Sequence, residues 1–190
     1  MIWTQELRGQ LFRPLLTACQ GLGIRPGHVT FLSLACGLAF CPLWWAELAW
    51  AKAAALAMLA AHVLLDGLDG PLARHLGTAS RAGSFTDTVA DQVAIAVVTL
   101  ALMAGDRSPL GVWSGGLYIF LYAMVVAFAM VRNALEAPYS WLVRPRFYVY
   151  AWIAVEEYLW PGTLEYVVWS FNLLLAVKML TGFISIRRML

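Results

Sequence analysis

The sequence predicts an all-α, polytopic membrane protein, with six transmembrane helices preceded by an amphipathic helix that lies in the membrane interface. Of 190 residues, 62% are hydrophobic and 13% are charged, where a soluble domain has about 45–50% and about 25%. The mean hydropathy is +0.73. Clusters of Gly, Pro and charge also cut the chain into stretches close to the roughly 20 apolar residues that a spanning helix needs. The loops between these stretches are too short to hold a second domain. A single domain over 1–190 is expected, with 1–25 interfacial and 26–190 forming the bundle.

Residues 5–24 place Leu11, Leu15, Leu16, Cys19 and Leu22 at helical spacing beside Arg8 and Arg13, a pattern that suits a helix lying on the membrane rather than crossing it. The six spans follow over 28–46, 51–75, 84–105, 112–136, 139–160 and 163–186. Glu47 ends the first, Asp106, Arg107 and Pro109 follow the third, and Pro138 follows the fourth. The fifth carries Arg144, Pro145 and Arg146 within it. With six crossings and both termini cytoplasmic, Arg8, Arg13, Arg25, Arg74, Arg81, Arg132, Arg144, Arg146, Arg187 and Arg188 fall on or near the inner side, against Lys52 and Arg107 outside. Such an excess of inner cations sets orientation. Trp44, Trp45, Trp50, Trp141 and Trp160 near span ends read as interfacial anchors.

A net charge of +2 with dispersed cations excludes a nucleic-acid surface. Cys19, Cys36 and Cys41 form no C-x-x-C pair and read as small apolar residues. The first residues contain Glu6 and Arg8 and show no A-x-A pattern, so a removable signal peptide is not expected.

The chemistry concentrates in Asp66-Gly67-Leu68-Asp69-Gly70-Pro71-Leu72-Ala73-Arg74 and Gly83-Ser84-Phe85-Thr86-Asp87-Thr88-Val89-Ala90-Asp91. At 100° per residue, Asp66, Asp69, Gly70, Ala73 and Arg74 share one helix face, and Asp87 and Asp91 share another. Gly77, Thr78, Ser80 and Arg81 form a polar turn that lets the second helix return antiparallel to the first. Four carboxylates brought together in this way repel unless cations lie between them. The stretch supplies only Arg74 and Arg81 against the four Asp, so the imbalance asks for metal. Oxygen-only ligands favour Mg²⁺ or Mn²⁺ over zinc, and the lone His62 and His75 read as structural. Gly70 and Gly83 either let a ligand approach the backbone closely or serve tight helix packing. A divalent-cation transporter or channel is the alternative use of such a cluster. The acidic motif occurs once, however, without the second half of an inverted repeat.

These residues resemble the signature of the CDP-alcohol phosphotransferases, D-x-x-D-G-x-x-A-R-(x8)-G-x-x-x-D-x-x-x-D, which residues 66–91 match at every specified position. The resemblance implies a metal-dependent enzyme of phospholipid biosynthesis, in which an alcohol hydroxyl attacks the lipid-linked phosphorus of CDP-diacylglycerol and CMP leaves. It also implies a homodimer. By the resemblance Asp66, Asp69 and Asp87 are metal ligands, and Asp91 is the general base and a possible ligand of a second metal. Asp69, Gly70, Ala73, Arg74 and Gly83 line the CDP pocket. Pro26-Gly27-His28-Val29-Thr30 looks like the family's P-N-x-x-T element with Gly27 in place of Asn, which puts Thr30 either in that pocket or at a helix cap. Members that use glycerol 3-phosphate resemble D-P-x-x-D-K over the last two aspartates. Here the run is Asp87-Thr88-Val89-Ala90-Asp91-Gln92, which lowers that branch. Arg132, Arg144 and Arg146 lie where some relatives hold a phosphorylated acceptor, and they read equally well as positive-inside residues.

Overall fold

The structure, a computed structural model, describes residues 13–105, 108–137 and 144–189. All regular structure among them is helical: α1 (13–21), α2 (Pro26–Trp45), α3 (Ala51–His75), α4 (Arg81–Met103), α5 (Val112–Ala134), α6 (Pro145–Tyr158) and α7 (Leu164–Met189). Five of these, α2 to α5 and α7, are long and apolar enough to cross a membrane. The expected span over 139–160 is represented by α6. Its 14 residues rise about 21 Å, less than the hydrocarbon core of about 30 Å, and residues 138–143 lie outside the described ones. Pro145 fixes the start of α6, because proline suits the first helical position, where no N–H donor is needed.

The helices group into two compact units, Met1–Ala94 and Ile95–Leu190, with α4 running from the first into the second. In the first unit α2 packs along α3. Ser33 on α2 donates to the His62 carbonyl at 3.0 Å, and the His62 ring Nδ1 lies 2.9 Å from Ser33 Oγ. His62 is thus a buried joint between two helices, the structural role expected of it. The described part of the interfacial segment is α1. Its Leu16 packs with Val29 and Leu72, flanked by Cys19, while Leu15 and Leu22 are exposed. His75 reaches Gln20 at 3.1 Å and ties the end of α3 to α1.

In the second unit, two carboxylates unnoticed in the sequence hold the helix ends. Glu156 on α6, only 7% exposed, accepts the backbone N–H groups of Gly162, Thr163 and Leu164 at the start of α7. These are donors that a helix N-terminus leaves without partners of its own. Glu165 on α7 accepts the N–H of Gly111 and the hydroxyl of Ser114, both at 2.8 Å, and so fixes the start of α5.

Candidate active site

The turn between α3 and α4 is built from local sequence. At the end of α3 the Gly77 N–H donates to Arg74 O and the Thr78 N–H to Ala73 O, the paired bonds of a Schellman closure. Gly77 supplies the φ of +66° that this closure needs, at no steric cost. Arg74 and His75 occupy the last turn of α3, where cations oppose the negative helix end. Three residues later Ser80 caps α4, its Oγ accepting the Gly83 N–H at 3.0 Å. A Cβ at Gly83 would stand 3.2 Å from that oxygen, so the motif glycine keeps the cap compact.

Because the chain reverses so tightly, depth along the two helices is set by counting from the turn. Asp69 and Asp87 each lie six residues from the turn, about 9 Å along their helices, and Asp66 and Asp91 lie about 14 to 15 Å along. Carboxylate oxygens of Asp66, Asp87 and Asp91 all come within 4.8 Å of one another, each residue half-buried. Asp69 is buried, 5% exposed. It lies beside Asp87, accepts the Thr30 hydroxyl at 2.8 Å on Oδ2 and accepts the Gly70 N–H at 2.6 Å on Oδ1. All four motif aspartates are therefore brought together, three with converging oxygens and the fourth beside them.

The donor set fits a divalent metal. Oxygens sharing one small hard cation at about 2.1 Å stand roughly 3 to 4 Å apart, and three oxygens already within 4.8 Å need to close by only about an ångström. Oxygen ligands alone suit Mg²⁺ or Mn²⁺. Arg74 folds over Gly70, where a Cβ would stand in ordinary contact with its Nη1 at 3.5 Å. Pro71 has no N–H to give the Gly67 carbonyl, which leaves an extra acceptor on the helix that carries Asp66 and Asp69. Thr30 is the fifth residue of α2, and Arg25 occupies the N-cap, so the helix-cap reading of Thr30 is set aside. Of the arginines expected near the acceptor, Arg146 is buried at the start of α6, 3% exposed, while Arg132 donates its Nε to Ala137 O at 2.9 Å and Arg144 is the exposed N-cap of α6.

The family model for CDP-alcohol phosphatidyltransferase matches residues 24–184. The chain belongs to that family. Among curated relatives, the CDP-diacylglycerol–serine O-phosphatidyltransferase of Mycobacterium leprae is 38% identical over 128 residues, which is 65% of this chain and 40% of that protein. The protein of the same name in Mycobacterium tuberculosis is 37% identical over 117 residues, 60% of this chain and 39% of that protein. The chain thus spans about two fifths of the length of these relatives. The crystal structure of Mycobacterium tuberculosis phosphatidylinositol phosphate synthase, in complex with manganese and citrate, is similar to this family member with a TM-score of 0.70 at 20% identity. The match covers 90% of this chain and 86% of that one, a likeness of fold. Nothing in these comparisons favours a cation transporter.

Proposed function

We propose that this chain is an integral membrane transferase that moves the phosphatidyl group of CDP-diacylglycerol to the hydroxyl of a polar alcohol and releases CMP. The observation that carries this reading is the convergence of Asp66, Asp87 and Asp91 from α3 and α4 within 4.8 Å, on a motif matched at every position. Asp66, Asp69 and Asp87 hold the metal, and Asp91 can share a second ion. Bound Mg²⁺ or Mn²⁺ supplies positive charge against the diphosphate as its bridging bond breaks. The Asp91 carboxylate accepts the proton of the acceptor hydroxyl as that oxygen bonds to the lipid-linked phosphorus. The bond from this phosphorus to the bridging oxygen breaks, and CMP leaves with the electron pair. Gly70, Ala73, Arg74, Gly83 and Thr30 line the CDP pocket with Asp69, and the guanidinium of Arg74 adds a fixed charge for the departing phosphate.

For the acceptor we propose serine first, supported by the names of the curated relatives. A serine acceptor carries a carboxylate for an arginine to hold. Of Arg132, Arg144 and Arg146, Arg132 already donates its Nε to the Ala137 carbonyl, and Arg144 and Arg146 are the candidates for that task. The reading also places the protein in the cell (inner) membrane, with both termini and the carboxylates on the cytoplasmic side. Ten inner arginines against Lys52 and Arg107 support this orientation. The homodimer implied by the family belongs to the same proposal.

The test is incorporation of labelled serine into chloroform-soluble lipid by purified protein with CDP-diacylglycerol and Mn²⁺. Phosphatidylserine is the expected product. Product with inositol phosphate, glycerol 3-phosphate or phosphatidylglycerol alone would replace serine while keeping the reaction. Lack of product with all four would overturn the reading.

A further inference from the structure

The bond from Thr30 to Asp69 gives Thr30 a role that the motif resemblance does not. We propose that Thr30 is a positioning residue: its hydroxyl sets the carboxylate of Asp69 and so holds the fourth acidic group of the centre in place beside Asp87. This inference rests on the reading of the aspartates as a metal centre.

Thr30 stands one turn into α2, and its single hydroxyl proton has two acceptors in reach, Asp69 Oδ2 at 2.8 Å and the Pro26 carbonyl at 3.2 Å. The shorter bond, to a carboxylate, is the stronger of the two. The geometry that brings the hydroxyl near Pro26 O is the ordinary rotamer of threonine in a helix. Packing within α2 therefore sets the donor's direction before Asp69 meets it. Asp69 in turn is 95% buried by its 5% exposure, and a carboxylate withdrawn that far from water needs its oxygens satisfied. Oδ1 is satisfied by the Gly70 N–H on its own helix. Oδ2 depends on a neighbouring helix, and Thr30 is the residue that supplies the bond.

The consequence lies in the placement of the carboxylates. The oxygens of Asp66, Asp87 and Asp91 converge by themselves, whereas Asp69 stands beside Asp87. A donor fixed on α2 holds that contact in register while substrate enters and leaves. Groups that orient metal-site carboxylates in this way typically contribute 10- to 100-fold to metal affinity or activity.

The experiment is a titration of purified protein in detergent with Mn²⁺, followed by the electron paramagnetic resonance signal of the free ion, without substrate. Wild type, Thr30→Val, Thr30→Ser and Asp87→Asn are compared, and KM for CDP-diacylglycerol is measured in parallel. Valine keeps the shape and removes the donor, and serine restores it. The expected result is Mn²⁺ affinity weakened about 10- to 100-fold by Thr30→Val and kept within about threefold of wild type by Thr30→Ser. Wild-type Mn²⁺ affinity in Thr30→Val with a raised KM for CDP-diacylglycerol would overturn the proposal and leave Thr30 a nucleotide contact. No change in either quantity would overturn it also. If wild type binds no Mn²⁺, or Asp87→Asn binds it as wild type does, the metal-centre reading has failed and the positioning role falls with it.

Discussion

Replacing Asp66 by Asn should move stability in opposite directions with and without metal. Two ionised carboxylates with oxygens within 4.8 Å of each other repel by about 3.5 kcal/mol or more at an effective dielectric constant near 20. The groups are half-buried, so solvent screening reduces this to roughly 1 kcal/mol per pair. Asp66 takes part in two such pairs, with Asp87 and with Asp91, and Asp66→Asn therefore relieves roughly 2 kcal/mol of repulsion in metal-free protein at alkaline pH, where all three are ionised. For a chain of this size that is a rise in Tm of about 4–8 °C. With Mn²⁺ at about a hundred times its Kd, wild type gains about 2.7 kcal/mol through binding to the folded state alone. The variant, short of one ligand, gains much less. The assay is thermal unfolding in detergent with EDTA and then with Mn²⁺. The expected pattern is Asp66→Asn above wild type in EDTA, with the gap closing and reversing in Mn²⁺. A variant that melts at or below wild type in EDTA and rises equally with Mn²⁺ would refute the reasoning.

Asp91→Asn should lower turnover by about two to four orders of magnitude while leaving binding of CDP-diacylglycerol intact, as a binding isotherm beside a rate measurement will show. Arg146→Ala should raise the KM for the acceptor well above any change for CDP-diacylglycerol, whereas Arg132→Ala, whose Nε bonds the Ala137 carbonyl at the end of its own helix, should affect both alike. Glu156→Ala should lower stability by roughly 1–3 kcal/mol, since a carboxylate that accepts three backbone N–H groups is removed and the donor of the buried Leu164 is left without it; thermal unfolding measures it. Gly77→Ala should lower stability by about 1–2 kcal/mol, because φ is +66° there, and the loss should extend to metal affinity through the turn that aligns α3 with α4.

The long elements were legible because hydropathy and helix breakers act locally. The span expected over 51–75 is α3 to the residue, and those over 84–105 and 112–136 differ from α4 and α5 by three residues or fewer at each end. The span over 139–160 was less so, since apolar content extends past Pro145 while the helix starts there. The four aspartates were legible for a similar reason: their spacing puts two on each face, and a short polar turn closed by Gly77 sets the faces against each other. The bond from Thr30 to Asp69 was not legible, because that partner lies 39 residues away and no local pattern reports that distance. Glu156 and Glu165 carry no distinct local signature for the same cause. Each caps a helix start on another element, and the available signal was an acidic residue close to a Gly-containing turn.

The account is tested most directly by CMP release from CDP-diacylglycerol by purified protein with serine and Mn²⁺, repeated with EDTA and with Asp66→Asn. The account expects release that depends on both serine and metal, stops with EDTA, returns when Mn²⁺ is restored and falls sharply in the variant. Release that persists in EDTA and in Asp66→Asn, or no release with any alcohol under conditions in which Mn²⁺ binds, would contradict it.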